Sequence, residues 1–176
     1  MKVIFTGAQG TGKTTILNHF KEKGYNVITE VVRNLSKEGV KINEMGDVDG
    51  QRKIFDTYLD KFNNTEDYIS DRGLTDVISY SIYLMDINGD NKEYDDLVKA
   101  QINDLLNFTN SNNDILYFYF PIEFPLDDDG VRSMDEEFRA KIDMGIKAIL
   151  DSLHIDYVVV TGSVEDRIKM IEEKLS

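Results

Sequence analysis

The run Gly7-Ala8-Gln9-Gly10-Thr11-Gly12-Lys13-Thr14 constrains this chain more than any other part of it. It follows Lys2-Val3-Ile4-Phe5-Thr6, an apolar run that reads as a buried strand. It opens a stretch from about Lys13 to Lys23 that places Ile16, Leu17 and Phe20 on one helical face. Glycines at 7, 10 and 12 let backbone N–H groups turn toward a bulky anion with no side chains in the way. The helix beginning near Lys13 aims the positive end of its dipole at the same place. The run fits G-x-x-x-x-G-K-[ST], and a strand before with a helix after is the context in which that pattern acquires meaning. Such a loop suits a triphosphate. Gly7, Ala8, Gln9, Gly10, Thr11, Gly12, Lys13, Thr14 and Thr15 would wrap it, Lys13 would reach the β- and γ-phosphates, and the Thr14 hydroxyl would ligate Mg²⁺. ATP and Mg²⁺ are therefore the expected cofactors.

The rest of the chain alternates strands with helices. Strands are predicted over Asn26–Thr29, Tyr68–Ser70, Ile115–Phe120 and Tyr157–Thr161. Ile115–Phe120 is uninterruptedly apolar, as a fully buried parallel strand should be. Helices are predicted over Val31–Lys37, Asp49–Asn63, Leu74–Met85 and Glu93–Phe108. Ser133-Met134-Asp135-Glu136 reads as a capping box opening a helix that buries Phe138, Ile142, Ile146, Ile149 and Leu153. Ser163 caps a last helix with Val164, Ile168, Ile171 and Leu175 inward. Between them, Pro121–Asp129 holds both prolines and a run of three acids, so residues 121–135 read as a short lid. The prediction is one α/β domain over residues 1–176: a three-layer P-loop NTPase fold, with a parallel five-stranded sheet and helices on both faces. Ligands of such sheets bind at the carboxyl ends of the strands, so Gly7, Glu30, Asp71, Pro121 and Gly162 should share one rim.

Composition narrows the partners. Asp and Glu number 33 against 20 Lys and Arg, a net charge of −13 with no basic block. A long nucleic acid would need many phosphates neutralised, so a small-molecule acceptor is the better reading. Cysteine is absent and no membrane-spanning or leader-like run is visible, which points to the cytoplasm. His19 and His154 carry no partner pattern and read as structural or surface residues.

Three further segments carry a resemblance. Thr29-Glu30-Val31-Val32-Arg33 follows the second strand, Asp71-Arg72-Gly73 the third, and Asp129-Gly130-Val131-Arg132 lies in the lid. With the glycine-rich run, this pattern resembles the AAA-domain family of small P-loop kinases, which includes ribosylnicotinamide kinase domains and many phage-encoded kinases. That family shows E-x-A-R, D-R and D-G-x-R in these places, and Val32 departs from its small residue. The resemblance implies that Glu30 contacts the acceptor or takes its proton. It implies that Asp71 organises Mg²⁺ or acts as base, and that Arg72 clamps phosphate or acceptor. Arg132 would close over the transferring phosphoryl, and Arg33 and Arg139 would assist at the substrate. Thr161, Gly162 and Ser163 would hold adenine. Local readings compete: Glu30 as a helix-start acid, Arg33 paired with Glu30 or Glu38, Asp71 as cap of the Leu74 helix, Arg132 paired with Asp127–Asp129. The leading function is transfer of the γ-phosphoryl of Mg-ATP to a nucleoside, nucleotide or related small acceptor. The alternatives are a kinase acting on polynucleotide 5′-ends or modified DNA bases, and a nucleotide-dependent ATPase or switch.

Overall fold

The structure is a computed structural model and describes residues 1–89, 91–126 and 134–175. Its centre is β1 (Lys2–Thr6), whose alternating side chains enter two apolar layers at once. Val3 and Phe5 point to one face of the sheet, and Ile4 points to the other. Beside β1 lie β3 (Tyr68–Ser70) and β4 (Ile115–Tyr119), and beyond them the edges β2 (Val27–Ile28) and β5 (Tyr157–Val159). The order is β2-β3-β1-β4-β5 and every pairing is parallel.

Seven helices cover this sheet among the described residues: α1 (Lys13–Glu22), α2 (Val31–Lys37), α3 (Val48–Asn64), α4 (Leu74–Ile87), α5 (Lys92–Ser111), α6 (Glu136–Ser152) and α7 (Val164–Leu175). On one face, α1 and α7 supply Ile16, Leu17, Phe20 and Ile171 to a cluster with Val3, Phe5, Phe118 and Phe120. On the other face, Ile4, Tyr117 and Tyr119 meet Phe55, Tyr58 and Phe62 of α3, Val77 and Ile78 of α4, Leu105 of α5 and Ile142 and Ile146 of α6. Each large apolar side chain so buried contributes roughly 1.5–3 kcal/mol over leaving it in water. Among the described residues no helix is long and apolar enough to cross a membrane.

Several boundaries differ from the sequence reading. The edge strands are shorter than Asn26–Thr29 and Tyr157–Thr161, because each has a neighbour on one side only. Leu116 is partly exposed although its run is apolar: β5 begins opposite Tyr117, so nothing flanks Leu116 on that side. Ser133 lies outside the described residues. The cap of α6 is Asp135, whose carboxylate accepts from the N–H groups of Glu137 (2.8 Å) and Phe138 (3.0 Å). Ser163 does open α7, in a reciprocal pair with Asp166. Val164 is exposed at the first turn rather than inward. His19 packs edge-on against Phe20 and meets Glu172 of α7 at 3.2 Å, a structural contact between two helices.

Candidate active site

The chain leaves β1 at Gly7 with φ of +140°, and a Cβ there would run into the carbonyl of Phe120. Only glycine makes this turn without displacing β4. The turn is fastened from below by Asp76 of α4, which is 1% exposed. Its carboxylate accepts from the Thr6 hydroxyl (2.6 Å), the Gly7 amide (3.1 Å) and the Gly73 amide (2.9 Å). One buried anion thus joins the end of β1, the start of the loop and the start of α4. Because Asp76 and Gly73 cap α4, Asp71 is released from that duty.

Two buried arginines fasten the loop from its other side. Arg139 of α6, 1% exposed, donates to the carbonyls of Gln9 (2.9 Å) and Gly10 (3.0 Å), and further to Phe124 (2.7 Å). Arg167 of α7 donates to the carbonyl of Thr11 (2.7 Å) and pairs with Glu123. Three successive carbonyls are therefore drawn outward, which sets the orientation of the intervening peptides. Asp143 of α6 completes the support. It accepts from the Tyr119 hydroxyl (2.8 Å) and lies against the Ala8 amide, and burial raises its carboxyl above the usual range against both contacts.

Lys13 lies inside this frame. Its ammonium donates to the carbonyls of Gly7 and Ala8 (both 2.6 Å) and to the Thr11 hydroxyl (3.1 Å). Burial pulls its pKa from 10.5 down to about 8, with Asp76 pulling the other way. A bound polyphosphate favours the charged amine, so above about pH 8 binding must take up a proton. The expected result is a nucleotide affinity that falls as pH rises beyond about 8. Titrations from pH 7 to 10 test this, and Lys13→Met should lack the slope.

The loop forms one wall of a cleft of about 570 Å³. Gln9–Thr15 line it, whereas Gly7 and Ala8 are buried behind it. Phe124 and Pro125, after β4, and Gly162–Val164, after β5, border one end. Glu30, Arg33, Tyr58, Asp71 and Arg72 border the other. Of the five strand-end residues expected on one rim, Glu30, Asp71 and Gly162 border the cleft, whereas Gly7 is buried behind it and Pro121 does not line it; Phe124 and Pro125 of the same segment do.

At that second end Glu30 takes a left-handed conformation (φ +61°), unusual for a residue with a side chain. It stands at the N-terminus of α2, where a dipole would favour an acid, but its side chain accepts no backbone N–H of that helix. Its carboxylate meets Arg33 at 3.1 Å, and both side chains are about two-fifths exposed, at 43% and 42%. A pair so wet is weak and easily exchanged for a ligand. Asp71 accepts from the Thr29 hydroxyl (2.6 Å), and burial raises its carboxyl pKa against that bond and the nearby Arg72 and Lys13. Arg72 lies over the Tyr80 ring at 5.1 Å, which holds its guanidinium in place.

The residues present fit Mg²⁺. Among the described residues no group of three or more metal-ligating side chains exists, but Mg²⁺ beside a polyphosphate needs none. The exposed Thr14 and the carboxylate of Asp71 line the same cleft and would hold it together with phosphate oxygens and water.

Arg132 and Asp127–Asp129 lie outside the described residues. Arg139 stands behind the loop, on its carbonyls. Four contributors were missed in the sequence: Asp76, Arg167, Tyr58 and Phe124. Only Asp76 had a local signal, since Gly73 and Asp76 have capping-box spacing.

Comparison with solved structures finds the same fold elsewhere. Deoxyadenosine kinase from M. mycoides with products dCMP and a flexible dCDP superposes with a TM-score of 0.66 at 19% identity, covering 99% of this chain and 98% of that one. The same kinase with bound dATP gives 0.65 at 20% identity over the same shares. NadR protein in complex with NR gives 0.72 at 13% identity, covering 98% of this chain, which spans 50% of the NadR chain. No curated protein sequence matches. The AAA domain family matches residues 2–167, which span the glycine-rich loop, the acidic strand ends and both arginines that hold the loop, so the chain belongs to the AAA domain family.

Proposed function

We propose that this protein is a P-loop kinase that moves the γ-phosphoryl of ATP to a nucleoside, nucleotide or related small acceptor. The observation that carries this reading is the continuity of the cleft, which runs from the phosphate loop to Glu30, Asp71 and Arg72 without a partition. A switch or bare ATPase needs no walled acceptor chamber beside its triphosphate. The fold neighbours support the reading, since a deoxyadenosine kinase and NadR with NR share this architecture. The net charge of −13 favours a small acceptor over a long nucleic acid.

In this mechanism the amides of Gly10–Thr15 take the β- and γ-phosphates, and Lys13 exchanges its carbonyl partners for phosphate oxygens. Thr14 and Asp71 would hold Mg²⁺, which would supply neutralisation of phosphate charge. The acceptor oxygen attacks the γ-phosphorus in line as the bond to the β-bridging oxygen breaks. A proton lost by a hydroxyl acceptor passes to Asp71 or Glu30. Arg72 and Arg33 neutralise the acceptor side, and Arg132 is assigned to the phosphoryl itself. Arg139 is assigned to positioning the loop rather than to the substrate.

The test is ADP release from Mg-ATP against nucleosides, nucleoside monophosphates, nicotinamide riboside and 5′-hydroxyl or hydroxymethylated DNA. Stimulation by one small acceptor is expected. Stimulation by DNA alone would move the protein to the polynucleotide kinases, and release without any acceptor would move it to the ATPases.

A further inference from the structure

The acceptor end of the cleft stands on an edge of the sheet. β2 has two residues and a neighbour on one side only. Its pairing with β3 sets Val27 beside Ile69 and Ile28 beside Ser70, and a last backbone bond runs from the Asp71 amide to the Ile28 carbonyl at 3.2 Å. One residue further the two chains part, because Glu30 takes its left-handed turn into α2. Thr29 lies at that fork. Its hydroxyl donates to Asp71 Oδ2 at 2.6 Å, so a side-chain bond continues the ladder where the backbone bonds end.

Such a bond orients its acceptor. A carboxylate turns easily about its last torsion, which lacks sharp staggered wells. A hydroxyl donating to one of its oxygens is charge-assisted, about twice as strong as a bond between neutral groups, and fixing Oδ2 fixes the direction of Oδ1 with it. The branched Cβ of Thr29 restricts its own torsion, so the donor is itself held. The backbone on the Asp71 side is fastened by other means. Ile28 takes the Asp71 amide, and the Ser70 hydroxyl donates to the Arg72 carbonyl at 2.7 Å, closing the turn beyond β3. Loss of the Thr29 hydroxyl would therefore release the Asp71 side chain and leave the strand in place.

We infer that Thr29 is a positioning residue of the transfer site, whose hydroxyl holds the Asp71 carboxylate in one orientation at the wall of the cleft. The inference rests on the reading of the cleft as a kinase site, in which Asp71 serves Mg²⁺ or the proton of the acceptor. Either task needs an oxygen held in a fixed direction. Groups that orient a working carboxylate are typically worth about 10- to 100-fold in activity. Glu30 is the next residue in the chain, so the same hydroxyl ties the strand that carries Glu30 to the side chain of Asp71, and both acids border this end of the cleft.

The test compares Thr29→Val, which keeps the branch and loses the donor, with Thr29→Ser, which keeps the donor and loses the branch. Turnover is measured with whichever nucleoside, nucleoside monophosphate or nicotinamide riboside the parent phosphorylates, and Kd is measured for a non-hydrolysable ATP analogue without Mg²⁺. Thr29→Val is expected to lower kcat by about 10- to 100-fold, with KM for the acceptor and Kd for the analogue within about threefold of the parent. Thr29→Ser is expected to stay within about threefold of the parent in all three. Crystal structures of the two variants give a readout without turnover: the Asp71 carboxylate turns in Thr29→Val and keeps its orientation in Thr29→Ser. A parental kcat in Thr29→Val overturns the inference, as does an equal loss in both variants. The reverse pattern, with Thr29→Ser impaired and Thr29→Val spared, is the mark of packing and overturns it too. A parent that phosphorylates no acceptor removes the kinase reading. The structures then decide the orienting role by themselves: a turned carboxylate in Thr29→Val sustains it, and an unmoved one overturns it.

Discussion

Lys13→Met will lower affinity for Mg-ATP and any turnover by at least about a hundredfold, while the melting temperature of the unliganded protein stays close to that of the parent. A preorganised cation aimed at developing phosphate charge contributes two to three orders of magnitude in sites of this kind. Met matches the buried stem of Lys13 in length and removes an amine whose charge is already disfavoured by burial. The loss of a donor to the carbonyls of Gly7 and Ala8, which lie buried behind the cleft, and to the Thr11 hydroxyl is offset because that amine no longer has to be taken out of water. Fluorescent-nucleotide titration with a thermal melt checks both halves. Parental ATP binding by this variant would sink the assignment of the loop.

The second large effect is on stability. Asp76→Ala leaves the Thr6 hydroxyl and the amides of Gly7 and Gly73 without their acceptor, in a place water does not reach. Removing one member of such a buried charged network costs about 3–5 kcal/mol. A loss of that size in urea denaturation is the expected outcome, with Asp76→Asn smaller because an amide oxygen still accepts. A change under about 1 kcal/mol would mean that Asp76 is not the fastening of the loop.

The contrast between these residues shows what a sequence can display. Lys13 was legible because its chemistry is local: glycines, lysine and threonine stand at fixed offsets within one strand-to-helix turn. Glu30, Asp71 and Arg72 were legible as strand-end residues, and the cleft does bring them together. Asp76 meets Thr6 and Gly7 across 70 and 69 positions, and nothing in either neighbourhood announces the other. The arginines are more remote, with Arg139 reaching Gln9 across 130 positions and Arg167 reaching Thr11 across 156. A capped helix with a buried stripe was predictable around each. That a guanidinium in that stripe would find a loop carbonyl depends on strand order, which periodicity does not encode. The cap of α6 shows the limit at short range. Ser133 and Asp135 both have capping chemistry, and the choice is made by which oxygen meets the amides of Glu137 and Phe138.

The two arginines that hold the loop also impose an order of events. Synthesis delivers the glycine-rich run early, but the groups that orient its peptides come with α6 and α7, near the far end of the described chain. A partly made chain therefore carries the motif without the site. A nucleotide bound at the proposed site would add its binding energy only to molecules in which α6 and α7 have docked, and so would favour the docked form by mass action. A ligand of the loop would thereby report on the docking of two helices that are remote from it in sequence.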